Sequence, residues 1–254
     1  MGTALIHSKP TSDPFHVLAF WVPSGDEAHV NFVNEANKWF PAQGSAHGYT
    51  YTATNNMEQM TVENMRRYQV ILFLDDVHYA MGNDEHRAFE QYVENGGGWM
   101  GFHVSAFNDN PNEWPWFFNT FLGTGRFKSN TWWPTKIHYH IDSPNHQTMN
   151  GLPNKFDSSV NEWYAWEKDL RRNPDIEILA SVDNSSFPVG TDPNQSWYSG
   201  YYPVIWSMKK FRAIYCNFGH NNMDYAHHRN TSWTFAARDQ DQFLFNALNY
   251  LANR

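Results

Sequence analysis

The chain has 254 residues, with 18 Lys+Arg against 26 Asp+Glu and a formal charge of −8. Its basic residues are scattered rather than clustered, which excludes the basic face a nucleic acid needs. No apolar run approaches the roughly 20 residues that span a bilayer, and a lone cysteine, Cys216, excludes both an intrachain disulfide and a cysteine-based zinc knuckle.

Elements follow in chain order. The start, Met1–His7, lacks the basic-then-apolar pattern of a signal peptide, and the compartment stays open between cytoplasm and, if a leader has been removed, periplasm. Phe15–Val22 is an apolar run typical of a strand buried on both faces, and Ser24 or Asp26 is placed to cap a helix over about 27–40. Tyr49–Thr54 alternates as a second strand, Thr61 caps a short helix, and Gln69–Asp75 is the clearest buried strand. Asp84 opens a helix with Phe89, Tyr92 and Val93 on its apolar face, stopped by Gly96-Gly97-Gly98. Gly96 suits the left-handed end of that helix, Gly97 and Gly98 suit a tight reversal, and residues 99–104 form a fourth strand ending near His103.

This β-α-β-α-β-α-β order predicts a parallel sheet with helices on both sides. Beyond residue 105 the pattern loosens. Asn112–Leu122 reads as helical and aromatic, its Trp114–Phe118 stretch as a cleft wall or a subunit contact. Lys136–Asp142 and Ile176–Val182 read as strands, Pro203–Met208 and Phe211–Phe218 as a hairpin, and Asp241–Ala252 as a closing helix. The fold class is therefore α/β, a three-layer α/β/α sandwich in one domain, core about 15–252, with antiparallel strands added in the second half.

Ligands of open α/β sheets bind outside the carboxyl ends of the strands. Four segments end there: His29 after the first strand, Asp75-Asp-Val-His78 after the third, His103 after the fourth, and Gly219-His220 with Asn221 after the hairpin. A nucleophile elbow puts Ser or Cys at its centre; Gly101-Phe-His-Val-Ser105 puts a histidine there, and Cys216 falls inside a strand. No Gly-x-Gly-x-x-Gly or phosphate loop occurs, so no nucleotide cofactor is expected. Glu162, flanked by Asn161, Trp163 and Tyr164, is a carboxyl in an aromatic setting of the kind that serves acid–base work. His138 and His140 share one face of a strand at a spacing that suits a metal pair or a solvated face. Twelve Trp and 13 His suit a pocket of apolar walls with a few placed polar groups, the kind that takes a sugar.

Taken together, Gly96–His103, Gly151-Leu-Pro153, Glu162-Trp-Tyr164, Pro203-Val-Ile-Trp206 and Gly219-His220 resemble the ThuA-like family, of the class I glutamine amidotransferase-like superfamily, from about Phe15 to Leu251. The resemblance implies a flavodoxin-like α/β/α sheet lacking the amidotransferase cysteine, and a role in disaccharide breakdown on keto-sugars. By matching position it implies His29, His103, Glu162 and His220 as the site. His103 or Glu162 is the expected general base, His220 polarises an oxygen, and His29, Tyr164, Trp206 and Asn221 are expected substrate contacts. The same four ligating residues offer donors for a divalent metal. Asn161 stands where the family has an aspartate, Gln147 where it has a proline and Phe211 where it has a glycine. The partner is a small carbohydrate, with a homo-oligomer possible; the alternative is a non-catalytic sugar-binding or scaffold protein.

Overall fold

The computed structural model describes residues 13–23 and 25–254; Met1–His7 and the candidate cap Ser24 lie outside them. A nine-stranded sheet runs through it in the order β2-β1-β3-β4-β11-β10-β9-β6-β7. These strands are β1 (Phe15–Trp21), β2 (Tyr49–Thr54), β3 (Val70–Leu74), β4 (Gly98–Phe102), β6 (His138–Ile141), β7 (Lys155–Asp157), β9 (Ile176–Val182), β10 (Pro203–Met208) and β11 (Ala213–Cys216). The five from β2 to β11 are parallel and the remaining four are antiparallel. Order 2-1-3-4 followed by one further parallel strand is the flavodoxin-like arrangement, and the fold is the α/β/α sandwich expected.

Strand alternation divides the core in two. Val70, Leu72 and Leu74 of β3 face helices α1 (Glu27–His47) and α4 (Arg238–Leu251). Ile71 and Phe73 face the opposite layer, with α2 (Val62–Met65), α3 (Asn83–Glu94) and the aromatic segment after β4. A strand buried on both faces must be apolar at every position, hence the run Val-Ile-Leu-Phe-Leu. Asp26 caps α1, accepting a hydrogen bond from the Ala28 N–H at 2.8 Å. The helix continues past Pro41 to His47 instead of stopping near residue 40. Tertiary packing outweighs the lost intrahelical bond: Phe40 and Gly44 remain on the buried face, Gly44 so close to β2 that a Cβ would lie 2.7 Å from the Tyr49 carbonyl oxygen.

The triple glycine divides its work differently from the expectation. Gly96 does take the left-handed conformation, with φ +88°. Gly97 and Gly98 have no positive φ and are needed for room. A Cβ on Gly97 would lie 2.3 Å from the Tyr92 ring, and one on Gly98 2.4 Å from the Leu251 carbonyl oxygen. Strand β4 stops at Phe102, two residues early, because His103 turns to φ +39° and opens a short 3-10 turn over His103–Ala106.

The expected helix over Asn112–Leu122 is instead a single π-helical turn, Trp116–Phe121, in which the Leu122 N–H reaches back to the Phe117 carbonyl at 2.8 Å. Trp114, Phe117, Phe118 and Phe121 are buried in the second core layer, and the Trp114 indole donates to Glu90 at 2.7 Å. This aromatic segment is therefore neither cleft wall nor free surface; it takes the place of a covering helix. The hairpin of β10 and β11 forms as expected, with Cys216 fully buried in β11. Two small antiparallel pairs complete the molecule, β5 (Phe127–Asn130) with β8 (Tyr164–Trp166) and β12 (Met223–Asp224) with β13 (Arg229–Asn230). Among the described residues no helix is long and apolar enough to cross a membrane.

Candidate functional site

The carboxyl ends of β1, β3, β4 and β11 open on one side of the sheet, at the point where strand order reverses. His29 comes from the first turn of α1, directly after β1, and Asp75 from the residue after β3. His103 follows β4, His220 follows β11, and Glu162 lies between β7 and β8. The three imidazole rings form a nearly equilateral triangle, with centroids 5.2 Å apart for His29–His103, 5.0 Å for His29–His220 and 5.4 Å for His103–His220. Glu162 Oε2 lies 3.5 Å from His103 Nε2 and 4.0 Å from His220 Nε2.

Backbone contacts set these positions. Nδ1 of His103 lies 3.0 Å from the Asn217 carbonyl, which only accepts; Nδ1 therefore carries the proton and Nε2 presents its lone pair to Glu162. The Tyr215 hydroxyl donates to the His103 carbonyl at 2.6 Å, and the Tyr164 ring lies against the imidazole at 4.0 Å. Asn217 ties β8 to β11 by accepting from the Tyr164 N–H and donating to the Tyr164 carbonyl. Asn161 accepts at its side-chain oxygen from the N–H groups of Gly219 and His220, at 2.8 and 3.0 Å, and donates its amide N–H to Ser159 at 2.6 Å. An amide both accepts and donates, so Asn161 clamps the turn that carries His220.

Above this floor is a cleft of about 390 Å³. His29, Glu162 and His220 reach its base, joined by Asp26, Asn130 and Asn222; Trp132, Trp133, Pro134 and Tyr225 form its walls. Asn130 donates to Glu162 Oε1 at 2.7 Å, and the Tyr225 hydroxyl donates to Asp26 at 2.8 Å. Both tryptophans are more than half exposed, at 56% and 51%, so their faces are open to a ligand. Asp75, His103 and Trp132 all carry positive φ, at 86°, 39° and 60°. Such backbone conformations are costly in non-glycine residues and cluster at functional sites.

Burial dominates the electrostatics. It pushes His103, His29 and His220 down to about 3, with mutual repulsion adding to it for His29 and His220. At neutral pH all three imidazoles are uncharged. Burial raises Glu162 to about 7, opposed by the neighbouring His220. Asp75 goes up to about 9, by burial and then by repulsion from Asp76. Burial pushes Asp26 up as well, but the Ala28 N–H and Tyr225 hydroxyl bonded to it bring its carboxyl below the usual value. His103 is only 1% exposed and lies behind Glu162, which at 6% is the carboxyl presented to the cleft.

The structure thus brings His29, His103, Glu162 and His220 together, with His103 behind the cleft lining, and leaves the expected substrate contacts Tyr164, Trp206 and Asn221 outside that lining as well. Trp206 is fully buried, its indole donating to the Leu122 carbonyl at 3.3 Å and its ring 4.4 Å from Tyr215. Asn221 turns inward to Glu35 and Thr234. Tyr164 supports His103 from below. His78 packs on Phe118 in the opposite layer, and its segment contributes Asp75 instead. His138 pairs with Asp157 at 2.6 Å and His140 lies 4.0 Å from Asp183, so the two rings face different carboxylates instead of sharing an ion. The cleft residues given no binding role from sequence are Asp26 (read only as a cap), Asn130, Trp132, Trp133, Pro134, Tyr225 and Asn222, the last noted only as following His220.

The family model described as trehalose utilisation, ThuA, matches residues 16–237. The chain belongs to the ThuA family. It is 32% identical to a ThuA-like protein from Bacteroides uniformis, over 96% of this chain and 94% of that one, with a TM-score of 0.83. A ThuA-like protein from Parabacteroides merdae is 15% identical over 95% and 91% of the two chains, with a TM-score of 0.68. The glutaminase domain of Trypanosoma brucei CTPS shares the fold at 12% identity over 94% of each chain, TM-score 0.51. No curated protein matches. Where the ThuA-like resemblance led to an aspartate before Glu162, this ThuA chain has the Asn161 clamp, and its only cysteine is buried in a strand, away from the cleft.

Proposed function

We propose that this ThuA family member is an enzyme of carbohydrate breakdown that acts on a disaccharide or keto-sugar by proton transfer in the Trp-walled cleft. The observation that carries this reading is the floor itself: three neutral imidazoles and one carboxyl poised near neutrality converge beneath two exposed tryptophans. The family's description as trehalose utilisation supports the substrate class.

In this reading the apolar face of a pyranose lies against Trp132 and Trp133, while Asn130, Asn222 and Asp26 hydrogen-bond its hydroxyls. Chemistry takes place beside a carbonyl. The proton on the adjacent carbon passes to a base, and the C–H electron pair moves onto the carbonyl oxygen as an enediolate. Glu162 and His220, which face the cleft, share the removal of the proton and the stabilisation of the oxygen. His103 stands behind Glu162 as a positioning residue.

The test is turnover of disaccharides and their 3-keto forms in deuterated water, followed by NMR. Deuterium entering the carbon beside the carbonyl is expected. Glu162→Gln and His220→Ala are each expected to cut the rate by about 10²- to 10⁴-fold. Full turnover in both variants overturns the assignment. Ligand-induced shifts with neither exchange nor product would make the protein a sugar-binding module instead.

A further inference from the structure

We propose that the floor of the cleft is a binding site for a divalent first-row transition ion, held by His29, His103 and Glu162 with His220 beside them. One donor atom from each of the first three lies within 4.8 Å of the other two. An ion of zinc size, about 2.0–2.1 Å from each donor, needs donor separations of about 3.4 Å, so the set closes on it by movements of roughly 0.7 Å. The His103–Glu162 separation of 3.5 Å already matches.

A second observation is independent of spacing. Nε2 of His29 and Nε2 of His103 are buried without any hydrogen-bond partner. Buried polar nitrogens normally find a partner, and one left over calls for an explanation. Two such nitrogens beside the same carboxylate share one, an ion between them.

The surroundings have the pattern that orients ligating histidines, whose second ring nitrogen is held by a carbonyl or carboxylate. His103 Nδ1 is held by the Asn217 carbonyl at 3.0 Å. His29 Nδ1 faces Asp75 Oδ1 at 3.6 Å, and Asp75 is 2% exposed with no other partner for either oxygen. Asp75 is the positioning residue of this site. Two imidazoles and one carboxylate select zinc, iron(II), cobalt or nickel over calcium and magnesium, which prefer oxygen. A three-donor site leaves positions open toward the cleft, where the ion would act as a Lewis acid on a sugar oxygen. His220, free of the ion, is then the imidazole that takes the proton. That use of the ion rests on the reading of the cleft as a reaction centre; its binding does not.

The experiment is titration of untagged, chelator-stripped protein with Zn(II) and with Co(II), followed by calorimetry and by the visible absorption of Co(II). One equivalent is expected, with a four- or five-coordinate cobalt spectrum. His29→Ala and Glu162→Gln should each weaken the site at least 10- to 100-fold, Asp75→Asn about 10-fold, and His220→Ala should retain the ion. His103→Ala is avoided because that ring is part of the buried floor. Absence of saturable binding by wild-type protein, or equal affinity in His29→Ala and Glu162→Gln, overturns the proposal. Turnover by protein that binds no ion would sink the metal site and leave the proposed function standing; a bound ion with no sugar turnover would do the reverse.

Discussion

At the scale of single residues, a carboxyl group taken out of water holds its proton unless donors replace the lost hydration. Asp241, in the first turn of α4, has one carboxyl oxygen buried without a partner, and burial raises it from 3.8 to about 7, with Glu35 adding repulsion. Between these two values the folded chain keeps a proton that the unfolded chain has released, so stability falls as pH rises through that window. Asp241→Asn should therefore unfold later than the parent at pH 8 and nearly with it at pH 4. Denaturant midpoints at the two pH values check this, and a gap independent of pH would refute it. The same physics separates what was legible in the cleft from what was not. Histidines at strand ends and a carboxyl among aromatics are visible as residue types, so His29, His103, Glu162 and His220 could all be named in advance. Trp132 and Trp133 sit in an irregular stretch with no period to say which way they point. Asp75 was overshadowed by His78, three residues on, which packs in the other layer.

At the scale of elements, the first four strands were readable because each is a buried or alternating run with a helix after it. The second half was less so. Strands β5, β7, β8, β12 and β13 are two to four residues long, too short to show a period, and β5 pairs with β8 far away in sequence, which local pattern does not encode. The aromatic segment reads as a helix because its residues satisfy a helical period, while their packing takes the wider π turn. The triple glycine offers a direct test of space against turn geometry. A Cβ on Gly98 would meet backbone on both sides, Leu251 O at 2.4 Å and Gln69 O at 2.9 Å, neither free to swing away. Gly98→Ala should cost about 3 kcal/mol, lowering Tm by about 6–12 °C. Gly96 has open space around it but φ +88°, and Gly96→Ala should cost only about 1–2 kcal/mol. If thermal unfolding ranked the two the other way, turn geometry rather than space would be the reason for the glycines.

At the scale of the whole molecule, four histidines are held uncharged by burial, with His29, His78, His103 and His220 all lowered to about 3. From pH 6.5 downward the unfolded chain takes up protons these rings refuse, and stability is lost. Glu162, Asp75 and Asp241, all raised, work in the opposite sense down to their unfolded values near 4. Burial lowers His47, His86 and His146 as well and raises Asp76, so the carboxyls offset only part of the histidine loss between pH 5 and 6.5, and below about 4 that loss is unopposed. Denaturant midpoints should fall gently across the first range and drop steeply in the second; a steep loss beginning at pH 6 would show that the carboxyls are not protonated in the folded state. Finally, the sheet is not laid down in the order of the chain. Strand β4 is apolar and buried throughout, and one of its edges pairs with β11, made about 110 residues later. At a synthesis rate of roughly 5–20 residues per second, a nascent chain carries that open edge for about 6–22 s. Such an edge is a template for pairing with other chains. A ribosome that stalls before residue 216 would therefore release a sticky half-sheet rather than a smaller working protein, and of the three imidazoles beneath the cleft His220 is the last to be made.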